Sequence, residues 1–86
     1  METPQERPEI VYPCSWTYRV IAVDAADARN AIAERLGTRP HRLSDGRTSR
    51  TGKYASLELE LDVVDAADRD ELFVALSAIA GVRFVL

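Results

Sequence analysis

Hydrophobic positions recur along this chain with two different periods, and the switches between them predict the order of its elements. Over residues 54–64 the period is two. Leu57, Leu59, Leu61 and Val63 alternate with Ser56, Glu58, Glu60 and Asp62, as in a strand with one face in a core and the other toward solvent or a partner. Residues 16–23 are aromatic and β-branched around Arg19 and predict another strand. Between them Ala25, Ala28, Ile32 and Leu36 are spaced by polar residues at a helical period. A helix over residues 25–36 follows, with Asp24 as N-cap, Asp27 in the first turn and Gly37 closing it. The junction Val23-Asp24-Ala25-Ala26-Asp27 recurs as Val64-Asp65-Ala66-Ala67-Asp68. It predicts a second capped helix whose apolar stripe is Leu72, Phe73, Leu76, Ile79 and Ala80, closed by Gly81. Residues 82–86 read as a short last strand. Residues 39–48, with Pro40 and the turn signal Asp45-Gly46, read as an irregular or bulged edge strand, followed by a turn over 49–52.

The order is β-α-β-β-α-β. Right-handed crossovers leave a gap between the first two strands that the third fills. The expected fold class is α+β: a ferredoxin-like βαββαβ two-layer sandwich, antiparallel sheet order 4-1-3-2, both helices on one face. One domain is expected over residues 14–86. Residues 1–13, with Pro4, Pro8 and Pro13, read as a flexible or extended lead-in whose Ile10, Val11 and Tyr12 dock on it. Two layers leave the other sheet face bare. With Tyr18 and Val20 inward, that face collects Arg19, Ile21, Val23, Glu58, Glu60, Asp62 and Val85, and Arg19 is placed to pair with a glutamate across the strands. Arg19, Ile21, Glu58, Glu60 and Val85 are the candidate interface there. The unpaired edge of the fourth strand is a second route to a homo-oligomer or a protein partner.

Composition narrows the picture. With 86 residues, a chain holds one small core, because a domain of this size buries only about 60% of its unfolded surface. No apolar run approaches the roughly 18 residues of a membrane span, and the polar start lacks the blocks of a secretory signal. A single cysteine fits a reducing compartment, so a cytoplasmic location is expected. The net charge is −3, yet Arg39, Arg42, Arg47, Arg50, Lys53 and a lone Asp45 make residues 39–53 basic. Arg42, Arg47, Arg50 and Lys53 are therefore candidate anion or partner contacts; charged edges also simply resist aggregation.

Catalytic chemistry is poorly represented. Cys14 and His41 are the only residues able to form a thiolate–imidazole pair, and nothing in their spacing requires them to meet. Cys14 reads as a small packing group and His41 as a solvated one. No zinc spacing, phosphate loop or nucleophile elbow is present, so no enzyme activity, metal or cofactor is expected. Gly52-Lys53-Tyr54-Ala55 echoes the start of an RNA-binding RNP1 pattern, but Ser56, Glu58 and Glu60 follow where stacking aromatics are needed. Carboxylates there repel a polyanion. The leading reading is a regulatory or adaptor domain acting through protein contacts. A sensor of a small anionic metabolite and weak nucleic-acid binding through the basic segment are its alternatives.

Three stretches carry a family resemblance. Tyr12-Pro13-Cys14-Ser15-Trp16-Thr17-Tyr18-Arg19-Val20-Ile21 resembles the opening of the YbeD-like family of small bacterial domains. Ser49-Arg50-Thr51-Gly52-Lys53-Tyr54-Ala55-Ser56 is similar to its Ser-x-x-Gly-x-Tyr-x-Ser hairpin, and Val82-Arg83-Phe84-Val85-Leu86 to its ending. The resemblance covers residues 12–86. It implies a ferredoxin-like fold of the kind seen in ACT-type regulatory domains, with no established activity. Many members carry a glycine after the first strand; Val23-Asp24-Ala25 stands there in this chain, which departs from the ACT mode of bringing backbone close to an amino acid.

Overall fold

The computed structural model describes residues 10–48 and 54–86, the side chains of 47 and 48 apart. Its elements are β1 (Cys14–Ala22), α1 (Ala25–Leu36), β2 (Arg42–Thr48), β3 (Ala55–Val63), α2 (Ala66–Ser77) and β4 (Val82–Val85). The sheet runs β2-β3-β1-β4, the expected 4-1-3-2 order read from the other end, and every pairing is antiparallel. This is the ferredoxin-like sandwich.

Period two in β3 places Leu57, Leu59, Leu61 and Val63 in the core. Across from them β1 contributes Tyr18, Val20 and Ala22. The helices cover that side with Ala28, Ile32 and Leu36 from α1 and Leu72 and Leu76 from α2. The repeated junctions do the same work twice: an Asp24 oxygen accepts the Asp27 N–H at 3.0 Å, and an Asp65 oxygen accepts the Asp68 N–H at 2.8 Å. Each pairing satisfies one of the N–H groups that a helix start leaves without an intrahelical partner.

Three expectations change. Phe73 is 45% exposed and Ala80 is exposed too, so the buried stripe of α2 is Leu72 and Leu76, with Ile79 half-buried beyond it. Gly81 does not close α2. The helix ends at Ser77 with Ala78 as its cap, and Gly81, at φ +88°, lies in the turn into β4. Val85 belongs to the core, at 8% exposure. It pairs with Val20, while Phe84 pairs with Ile21. The register shifts next to that pair, leaving Arg83 as the extra residue of a β-bulge, which sets the phase of the strand.

The irregular course expected of β2 is present as a register shift between Asp45 and Thr48. Gly46 sits there so closely that a Cβ on it would lie 2.7 Å from the Ser56 hydroxyl. At the other end Tyr12 packs against the core, whereas Ile10 and Val11 stay exposed. The turn expected over residues 49–52 and most of the lead-in lie outside the described residues.

Candidate functional site

The face of the sheet opposite the helices is built by alternation alone. Along β1 it carries Ser15, Thr17, Arg19 and Ile21, and along β3 Ser56, Glu58, Glu60 and Asp62. Arg42 and Ser44 of β2 stand opposite Glu60 and Glu58. The Arg19 guanidinium meets a Glu58 oxygen at 3.2 Å, as the cross-strand pairing requires, and the Ser15 hydroxyl donates to Glu60 at 3.2 Å. Both are exposed, so each contributes little to stability and leaves the charges available at the surface.

Toward β4 the same face turns apolar. Ile21 is half-buried beside Phe84, which is 64% exposed, and Leu86 is 71% exposed. Leu86 is bonded both ways to Arg19, N–H to carbonyl, at 2.8 and 3.0 Å. Behind β4, a groove of about 250 Å³ against α2 is lined by Phe73, Ser77, Val82, Arg83, Phe84 and Val85. Both phenylalanines of the chain are therefore exposed, and both border one edge strand. Of the five expected interface residues, Arg19, Ile21, Glu58 and Glu60 lie on this face. Val85 does not, and Phe84 takes the position assigned to it.

Of the basic side chains of the segment 39–53, only Arg39, His41 and Arg42 are among the described residues, and they do not gather. Arg39 is withdrawn from the segment: its two terminal nitrogens grip the Asp68 carboxylate at 3.0 and 2.6 Å, and one also donates to the Asp62 carbonyl at 2.8 Å. Asp68 accepts the Val64 N–H as well, at 3.0 Å. The Arg39 hydrogen bonds, then that of Val64, hold the Asp68 carboxyl below its ordinary range, and the same contact holds the Arg39 guanidinium above its own. Asp45 pairs with Arg29 of α1. Arg42 is exposed on the open face. The Arg47 side chain, Arg50 and Lys53 lie outside the described residues.

Among the described residues, nothing near these groups converges as a reaction centre. Cys14 is half-buried against the core, and the His41 Nδ1 lies 2.8 Å from the Arg39 carbonyl at an exposed position. Among the described residues no three His, Cys, Asp or Glu side chains are grouped to hold a metal, and no helix is long and apolar enough to cross a membrane. A polar cleft of about 570 Å³ beside Arg19 is lined also by Asp45, Gly46, Ser56 and Glu58. Among the described residues both of its carboxylates are already paired, Asp45 with Arg29 and Glu58 with Arg19.

A second cluster closes the core at the start of α2. The Arg69 guanidinium lies 5.0 Å from the centre of the Trp16 ring, within cation–π range, and donates to the Tyr12 hydroxyl at 3.0 Å and to Asp70 at 3.2 Å. The Tyr18 hydroxyl donates to the Arg69 carbonyl at 2.6 Å. Burial, then the Asp68 charge, raises the Tyr18 phenol above its ordinary value. Tyr12, Cys14, Trp16 and Tyr18 all pack on the core side of the sheet, so the aromatic opening motif is structural.

Comparison with known proteins agrees with the fold. Residues 7–86 match the family described as "Protein of unknown function (DUF493)", and the chain belongs to that family. An uncharacterized protein of Helicobacter pylori strain J99 is 34% identical over 88 residues, spanning all of both chains. A UPF0250 protein of Hahella chejuensis is 28% identical, over 99% of this chain and 98% of its own. The solution structure of H. pylori protein HP0495 superposes with a TM-score of 0.82 at 28% identity, covering 100% of this chain and 94% of that one. The YbeD-like likeness of the three sequence stretches is in keeping with this membership.

Proposed function

We propose that this member of the DUF493 family is a non-catalytic regulatory or adaptor domain that works by protein contact. Its working surface is the β4 side of the open sheet face. The observation that carries this reading is the run Ile21, Phe84 and Leu86, an apolar strip on the uncovered face. Singly exposed apolar side chains are ordinary, but a contiguous exposed apolar strip rimmed by polar residues is the mark of a contact site. Arg19, Glu58 and Glu60 flank the strip as a polar rim, the arrangement common at protein interfaces. The carboxylates of β3 weigh against nucleic acid.

The test is site-specific photo-cross-linking in the source cells. A photoreactive residue replaces Phe84 in one strain and Ser44, at the far side of the same face, in another. A discrete cross-linked protein product from position 84, much weaker from position 44, is the expected result. Absence of a product from 84, or equal products from both, overturns the reading.

A further inference from the structure

We infer that the occupant of the β4 surface is a second copy of this chain, paired strand to strand through β4 about a twofold axis at Val85. The inference rests on the contact reading above and deepens it. Among the described residues β4 ends the sheet and pairs with β1 alone. Leu86 exchanges both backbone hydrogen bonds with Arg19, and antiparallel pairs alternate between bonded and non-bonded. Phe84 opposite Ile21 is then the next bonded pair, and the Val85 N–H and carbonyl are directed to the free edge. Those outward groups fix the register. Val85 bonds Val85 of the second copy in both directions, and Phe84 stands opposite Leu86 of that copy in the non-bonded positions, where side chains approach most closely. The twofold axis supplies that contact twice, on the open face. Arg83 and the bulge fall outside the three paired positions, so no like charges are brought directly opposite.

A second copy suits this edge because the paired stretch has no charged side chain and is apolar on both sides of the pleat, with Val85 on the helix side and Phe84 and Leu86 on the other. The area is small. Phe84 and Leu86 at 64% and 71% exposure, with three residues of strand edge, come to about 400 Å² per copy if a full phenylalanine is about 150–250 Å². The total of about 800 Å² lies below the roughly 1,200–2,000 Å² of a stable interface. The dimer is therefore weak and reversible, filling at high concentration or where the protein is gathered locally.

The experiment is sedimentation equilibrium of the purified full chain from about 10 µM to about 1 mM, spanning weak dissociation constants. It is run on wild type, Phe84→Glu, Leu86→Lys and an equimolar mixture of the two variants. Wild type should dimerise across that range, and each variant alone should weaken association by about tenfold, having two spoiled cross-strand contacts. The mixture should regain dimer, because its heterodimer sets the introduced carboxylate of one variant against the introduced ammonium of the other and keeps one Phe84–Leu86 contact. Both positions are exposed, and thermal melts confirm that the variants are folded. Independently of any variant, exchange of the Val85 amide should slow as wild-type concentration rises. Wild type monomeric at 1 mM with Val85 exchange unchanged, Phe84→Glu dimerising like wild type, or a mixture no better than its components each overturns the inference. A cross-link from position 84 to a different protein, with no self-association, removes this inference and leaves the contact reading standing.

Discussion

Two side chains three residues apart on α2 offer a sharp test of how the helix sits. Leu76 is 0% exposed and Phe73 is 45% exposed, although their spacing puts both on one apolar stripe by sequence. Leu76→Ala removes three heavy atoms from a closed core and leaves a cavity, which costs about 3–4 kcal/mol. A domain of this size holds only about 4–13 kcal/mol in all, so the variant loses a large part of its stability. Phe73→Ala leaves no closed void. Roughly half the transfer value of the ring is lost, about 1 kcal/mol, and alanine's better helix propensity returns about 0.5 kcal/mol. The expected net loss for Phe73→Ala is therefore under about 1 kcal/mol. Urea unfolding followed by far-UV circular dichroism reads both as midpoint shifts at unchanged slope. A Phe73→Ala loss as large as that of Leu76→Ala would mean that α2 is rotated to bury the ring, and would refute the packing described.

Other consequences follow from named contacts. Asp68 has a folded pKa depressed below 3.8, chiefly by Arg39, so its unfolded form binds protons first on acidification. Its contribution to stability is present above the unfolded value and is lost as pH falls through the folded one. Wild type should therefore lose stability below about pH 4 more steeply than Asp68→Asn, as read by thermal melts from about pH 6 to about 2.5. At neutral pH, a double-mutant cycle between Arg39→Met and Asp68→Asn should return a coupling of about 1–2 kcal/mol, above that of exposed pairs and below that of fully buried ones. Gly46→Ala should destabilise by about 1–3 kcal/mol through overpacking, since its Cβ meets Ser56. Adding Ser56→Ala should recover part of the loss, and equal melts with and without that second change would contradict the contact.

Much of this molecule is readable from spacing because its strongest signals are local. Asp24 and Asp65 each stand one residue before a helix, and their cap bonds form as the repeated junction implies. The four inward residues of β3 alternate with charges, leaving one possible phase. The last strand has no such contrast: Val82, Phe84, Val85 and Leu86 are all apolar, so nothing in their order says which face each takes. One extra residue, Arg83, then moves Val85 into the core and Phe84 out of it. The same ambiguity hides Phe73, adjacent to Leu72 on a helix whose buried stripe is narrow. Arg39 was hidden for a different reason. Its partner Asp68 is 29 residues away, and a bond across the fold leaves no trace in the composition of a basic segment. The candidate surface was thus legible on β1 and β3 and as an unpaired β4 edge, but which β4 side chain it presents, Phe84 in place of Val85, was not.

The two phenylalanines allow the contact surface to be watched directly, because a fluorinated phenylalanine gives a spectrum of two lines. Fluorine NMR of the labelled protein, in buffer and then in extract of its own cells, reads Phe84 and Phe73 separately, with fluorinated Trp16 as an internal reference away from β4. Selective broadening or shift of the Phe84 line, as the labelled protein's own concentration rises in buffer or on adding extract, with the Trp16 line keeping its position, is the result this account requires. A Phe84 line that changes neither with the protein's own concentration up to about 1 mM nor in extract would contradict it.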